Sequence, residues 1–201
     1  MAVVSNGTTI IDAGALGASI ASGSMNLIST ATASGSATIS FTSGITSTYK
    51  EYIFKFIDIH PATNSQNFQF QVSINGGSSY GVAIQSTSFY AQHNESDTEA
   101  VIEYDTANDQ ANGTGFQTIL GKEPGNGNDE SVAGTLHLFD PASTTFVKHF
   151  ISRGNCQDAE PMTRDGYTSG YVNTTSAVNA IQFKMASGNI DAGIIKMYGV
   201  K

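Results

Sequence analysis

Charge is scarce in this chain of 201 residues: Asp, Glu, Lys and Arg make up 13% of it, against roughly a quarter in an ordinary soluble domain. What charge there is leans acidic, with 17 carboxylates against nine Lys and Arg and a net charge of −8. The basic footprint that nucleic acid requires is absent, and an anionic membrane surface is disfavoured for the same reason. Cysteine occurs once, as Cys156, which excludes an internal disulfide and a cysteine-only zinc site. No apolar run approaches the about 18 residues of a membrane-spanning helix. The first basic residue is Lys50, so the N-terminus does not read as a secretory signal. There is no G-x-S-x-G, no phosphate-cradling glycine loop and no cysteine-protease surround at Cys156. The sequence therefore gives no reason to expect an enzyme or a cofactor.

What remains is rich in small and uncharged polar residues, with 21 Gly, and in bulky aromatics, with 11 Phe and 8 Tyr but no Trp. That mixture suits short strands, polar turns and a sheet core, and suits long helices badly. A chain of this length can bury a substantial core in one domain with an extension.

Residues 1–36 differ in composition from the rest of the chain. AVVSNGTTII is compatible with one short strand broken at Asn6-Gly7, and DAGALGASIASGSMNLISTATASGS is almost all small residues. A helix over Ala13 to Ala21 would carry Gly14 and Gly17, each costing about 1 kcal/mol against Ala, so an extended arm is expected. From Ala37 the strand signals are steady. Thr38–Phe41 alternates, Tyr52–Ile59 is a nearly continuous apolar run for a central strand, and Phe68–Ile74 alternates without a fault. Tyr80–Tyr90 holds one or two strands, Val101 to Tyr104 a short strand or a helical turn, and Phe116–Leu120 a short apolar piece. Val132–Phe139 and Thr145–Ser152 predict a hairpin around Asp140-Pro141. Residues 154–166 read as a loop, Tyr167–Asn173 as a strand, and Ser176–Lys201 as a closing pair of strands around Ser187–Gly193. Eight to ten strands without a convincing helix predict an all-β protein, a two-sheet antiparallel β-sandwich of jelly-roll or related Greek-key type.

Candidates for chemistry are weak. His137 and His149 approach each other only if their hairpin is suitably registered, and a structural role is the commoner fate of such histidines. The acidic stretch with Glu95, Asp97, Glu99, Glu103, Asp105 and Asp109, and Asn126 to Glu130, hold calcium-ligand types but match no calcium-loop pattern. Both are expected as solvated loops. Tyr90, Tyr167 and Tyr171 are candidates for a sugar-binding aromatic platform, with core packing as the alternative. Lys50, Lys122, Arg153 and Arg164 are scarce cations and candidate intersubunit salt-bridge donors.

Several phrases act as a set: VVSNGTTIIDAGAL, FTSGITSTYKEYIFKFIDIHPATNSQNFQFQVSINGG, AQHNESD, NGNDESVAGTLHLFDPASTTFVKHF and GYVNTTSAVNAIQFKMASGNIDAGIIKMYG. Together, over Val3 to Gly199, they resemble a family of virion structural proteins from tailed phages of aquatic bacteria. Such proteins are similar to jelly-roll decoration (cement) proteins of the capsid, and some relatives are tail-fibre or tail proteins. The resemblance implies a virion protein on the capsid exterior, with the major capsid protein or tail proteins as partner and a homo-oligomer, a trimer, as its assembly. On that reading residues 1–36 form an N-terminal arm for assembly contacts and 37–201 a jelly-roll β-sandwich. Val3, Val4, Ile10, Ile11, Leu16, Ile20 and Leu27 are the expected assembly interface, and Glu95, Asp97, Asn126 and Asp129 the expected exposed loops. A tail-fibre or receptor-binding module contacting host glycans is the alternative. A polysaccharide-active enzyme stands third, because jelly rolls also host such enzymes.

Overall fold

The alternation of apolar and polar residues that runs through the chain becomes sheet almost everywhere. The computed structural model describes residues 2–12, 15–16, 24–120 and 123–201, and no helix occurs among them. β1 (Val3–Ser5), β2 (Thr8–Asp12) and β3 (Ala15–Leu16) form a small antiparallel meander. Asn6 and Gly7, both at positive φ, make the two-residue turn that suits a hairpin.

The rest of the chain builds two larger sheets. Its strands are β4 (Met25–Ser36), β5 (Ile39–Phe41), β6 (Glu51–Pro61), β7 (Phe68–Ser73), β8 (Ile84–Asn94), β9 (Ala100–Tyr104), β10 (Ala111–Gly113), β11 (Gln117–Thr118), β12 (Val132–Phe139), β13 (Lys148–Gln157), β14 (Met162–Val172), β15 (Ala180–Met185) and β16 (Ile190–Val200). The large sheet has nine strands in the order β10-β8-β14-β13-β12-β6-β16-β4, with β9 beside β10 on the outer side of β8. The small sheet has four, in the order β11-β7-β15-β5. All pairings are antiparallel.

The two larger sheets pack face to face, as a β-sandwich does. Phe41 and Phe183 of the small sheet meet Phe54 of the large one, at ring-centroid distances of 5.6 and 5.4 Å. Phe68 lies 5.1 Å from Phe56, and Phe70 lies 5.2 Å from Phe150. Such aromatic pairs each add about 0.5–1.5 kcal/mol beyond the area they bury. The phenylalanines sit in one continuous core that also takes in Leu136, Ile181, Ile195 and Met197. The absence of Trp is made good by this Phe cluster.

One part of the core depends on residues with no side chain. Gly134 lies opposite Gly154, and Gly154 opposite Gly166, so three adjacent strands are bare along one row. The segment Ile119-Leu120 lies on that row. A Cβ at Gly166 would stand 1.5 Å from the Leu120 carbonyl oxygen, and one at Gly154 would stand 2.0 Å from Leu120 Cδ2. The buried Lys148 is held by its ammonium donating to the carbonyls of Phe146 (2.7 Å) and Thr174 (3.1 Å). Burial pushes that ammonium's pKa down.

Several sequence expectations need correction. Met25–Ser36, expected within the arm, is the edge strand of the large sheet, paired with β16 along nearly its whole length. The boundary expected after residue 36 therefore falls inside the sheet-forming part of the chain. Beyond Ile28, the inward residues of β4 are Ala31 and Ala33, too small to give a strand signal. The loop expected over residues 154–166 is mostly hairpin, because β13 runs to Gln157 and β14 begins at Met162. Its inward positions include Gly154, Cys156 and Gly166, which hid the alternation. β13 also begins at Lys148, three residues after the expected Thr145. The hairpin around Asp140-Pro141 forms as expected, with β12 and β13 in register.

Candidate functional site: the outer face of the large sheet

Residues directly opposite in antiparallel strands share a face, and the register fixes what that face carries. Tyr104 of β9 is opposite Phe89 of β8, Phe89 opposite Tyr167 of β14, and Tyr167 opposite Arg153 of β13. This row lies on the side of the large sheet turned away from the small one. Tyr104 is 50% and Phe89 43% exposed. The Phe89 and Tyr167 rings stack at 4.8 Å with planes 5° apart, and the Arg153 guanidinium lies 5.0 Å from the Tyr167 ring centre.

Asp165 fixes the cationic end of the row. Arg153 donates to both its carboxylate oxygens, at 3.2 and 2.8 Å, and the Tyr167 hydroxyl donates to Oδ2 at 3.1 Å. The hydrogen bond to Asp165 pushes the Arg153 pKa further up. The Tyr104 hydroxyl donates to Asp109 Oδ2 at 2.6 Å. Two aliphatic side chains flank the row on the same face, Ile102 at 80% and Ile151 at 52% exposure. The assembly is an exposed apolar ridge whose polar groups bond mainly to one another.

That geometry decides between two uses of aromatic side chains. A sugar ring stacks on a free aromatic face, but the faces of Tyr167 are taken by Phe89 on one side and Arg153 on the other. With Ile102 and Ile151 beside the rings, the ridge is an exposed apolar patch of the kind that suits contact with another macromolecule. The three candidate platform tyrosines do not come together. Tyr90 points the other way and is buried, its hydroxyl donating to Glu103 at 2.7 Å. Tyr171 sits lower on the outer face, 6.1 Å from the His149 ring. Sequence reading named Tyr167 but missed Phe89, Tyr104, Ile102 and Ile151, because only strand register brings them into one patch.

The remaining candidates scatter. Val3, Val4 and Ile11 are exposed on the meander and Ile10 is half-buried. Leu16 lies in β3, Leu27 is exposed on β4, and Ile20 lies outside the described residues. Glu95, Asp97, Asn126 and Asp129 are exposed. Around the first pair, Asn94 Oδ1 accepts from the N–H groups of Thr98 (2.9 Å) and Glu99 (3.0 Å). In the second loop the Glu130 carboxylate accepts from the Gly127 N–H, and the Gly127 carbonyl lies 3.0 Å from His60 Nε2. No group of three or more His, Cys, Asp or Glu able to hold a metal ion occurs among the described residues. His137 is opposite Ile151 and pairs with Glu51 at 2.6 Å, while His149 lies against Tyr171. Lys50, Arg153 and Arg164 all bond within the chain, to Asp140, Asp165 and Asp158. Lys122 lies outside the described residues.

Beneath the ridge, the inner side of the same strands is polar and closed. Arg164 and Asp158 form a largely buried ion pair at 2.5 Å. Burial pushes the Asp158 carboxyl up and Arg164 pulls it back. Burial also pushes the Cys156 thiol to about 12, so this cysteine is no nucleophile at neutral pH. Tyr90 is pushed to about 12, first by burial and then by its hydrogen bond to Glu103.

Fold and surface together thus define an all-β sandwich with an exposed apolar face. No family model matches the chain, and no curated protein or solved structure matches it significantly.

Proposed function

We propose that this chain is a structural protein of a tailed-phage virion, a decoration protein that stabilises the assembled capsid shell by binding the major capsid protein. The observation that carries the proposal is the distribution of charge and exposure at the N-terminus. Residues 1–49 contain one charged residue, Asp12, and the meander β1–β3 presents Val3, Val4 and Ile11 to solvent. An N-terminal segment with a single charge and exposed apolar side chains is suited to lying on neighbouring subunits by strand addition or in a groove.

Strand connectivity supports the jelly-roll part of the reading. Take β4, β5, β6, β7, β11, β12, β15 and β16 as eight strands in chain order. The large sheet then carries the first, eighth, third and sixth side by side, and the small sheet the second, seventh, fourth and fifth. That order is the one expected of two interleaved Greek keys in a jelly roll. On this reading β8–β10 and the β13–β14 pair are additions that widen one sheet, and the apolar ridge stands on them. A protein that binds the closed shell and not its loose subunits stabilises the shell by mass action.

The test is the copy number of the chain in purified virions, by quantitative mass spectrometry against the major capsid protein. A ratio near one per capsid subunit is expected. A few copies per particle would move the protein to the tail or its fibres, and absence from the particle would overturn the virion assignment.

A further inference from the structure

A β-sheet ends in edge strands whose outward N–H and C=O groups are unpaired, and proteins keep such edges short, charged or broken by proline. Among the described strands of the two larger sheets, the rule holds at every edge but one. β5 has three residues, β9 five, β10 three and β11 two. β4 has 12 residues, and its sequence MNLISTATASGS contains neither a charged residue nor proline. It pairs with β16 on one side and with no described strand on the other. About half of its backbone polar groups face that open side.

We propose that β4 pairs with β4 of a second copy of this chain, antiparallel about a two-fold axis, so that the large sheet runs on across the dimer. Two features of the molecule select this occupant. The first is length: β4 is the only long edge among the described strands of the two sheets, so only another β4 satisfies it along its whole run. The second is charge. Copies of a chain carrying −8 repel, and the stretch through which they can approach without opposing charges is residues 1–49, which hold a single carboxylate. A two-fold interface reuses one self-complementary patch and closes after two copies. Exposed Leu27 and Met25 on β4 add apolar contact beside the backbone ladder. The pairing does not depend on the virion assignment and holds for the isolated chain in solution.

The experiment uses the full chain. Sedimentation equilibrium is expected to give twice the 21.1 kDa chain mass. Thr32 and Ser34 are exposed on β4 and lie opposite the uncharged Ile194 and Ala192, so Thr32→Lys/Ser34→Lys and Thr32→Glu/Ser34→Glu are compatible with the fold. Each variant alone sets like charges against each other across the two-fold, and each dimer is expected to weaken by at least about a hundredfold. An equimolar mixture of the two is expected to regain the dimer mass, which shows that both variants are folded. A wild-type monomer, a wild-type trimer, variants that stay dimeric, or a mixture that stays monomeric would each overturn the pairing.

Discussion

Gly166 shows how much a single position carries. Its missing side chain leaves the space in which the Leu120 carbonyl lies, 1.5 Å from where a Cβ would stand. Neither partner is the far end of a flexible side chain, so Gly166→Ala is expected to cost more than about 3 kcal/mol of stability. Gly115→Ala, where nothing lies within 4 Å, is expected to stay within about 0.5 kcal/mol; urea denaturation of the two variants measures both. Cys156 gives a second test at this scale. Its thiol is pushed to about 12 in the fold from an ordinary value of 9.0. A raised folded-state pKa contributes stability that is complete below the unfolded value and lost as pH climbs to the folded one. The melting-temperature advantage of the wild type over Cys156→Ala is therefore expected to hold below pH 9 and to shrink from there to pH 12. An advantage that grew over that window would contradict the burial of the thiol. At neutral pH the native thiol is expected to react with a disulfide reagent only as fast as the protein opens.

At the scale of elements, the meander and the sandwich are expected to separate cleanly. Among the described residues, β1, β2 and β3 pair with one another and with no strand of the larger sheets. Removing residues 1–23 is accordingly expected to change stability by less than about 1 kcal/mol, measured by thermal and urea unfolding. Removing residues through 36 would take β4 with it and uncover Met197 and Ile195 of β16, so that deletion is expected to unfold or aggregate. The hairpins differ in how readable they were. Val132–Phe139 and its partner announce themselves by bulky residues around Asp140-Pro141. The hairpin of β13 and β14 is concealed by the small inward residues Gly154, Cys156 and Gly166, of which the two glycines make room for Leu120. Sequence patterns report side-chain size, and a strand whose inward side must be bare gives no pattern.

For the whole molecule, charge is the governing quantity. Two bodies of −8 joined through uncharged strands repel at long range and bind at short range, so the dimer is expected to tighten as salt rises toward physiological ionic strength and the repulsion is screened. An interface built on ion pairs would weaken instead, and sedimentation across a salt series separates the two. The ridge of Ile102, Tyr104, Phe89, Tyr167 and Ile151 belongs to this scale as well. It exists because the β8–β9 hairpin pairs with the β13–β14 hairpin through β8 and β14, although the two hairpins come from separate parts of the chain.

The sequence by itself determined the all-β class, the absence of a basic surface, the strands with bulky inward residues such as Tyr52–Ile59 and Phe68–Ile74, and an N-terminal quarter with one charged residue. Each of these is a property of composition or of local alternation, which the chain carries wherever it folds. The tertiary structure alone decided that Met25–Ser36 is a sheet edge, that Gly154 and Gly166 leave room for Leu120, and that Phe89 meets Tyr167 on an outer face. These are matters of register and neighbourhood between distant segments. Pairing free energy and the packing of the two sheets set them, and no local window of residues contains that information.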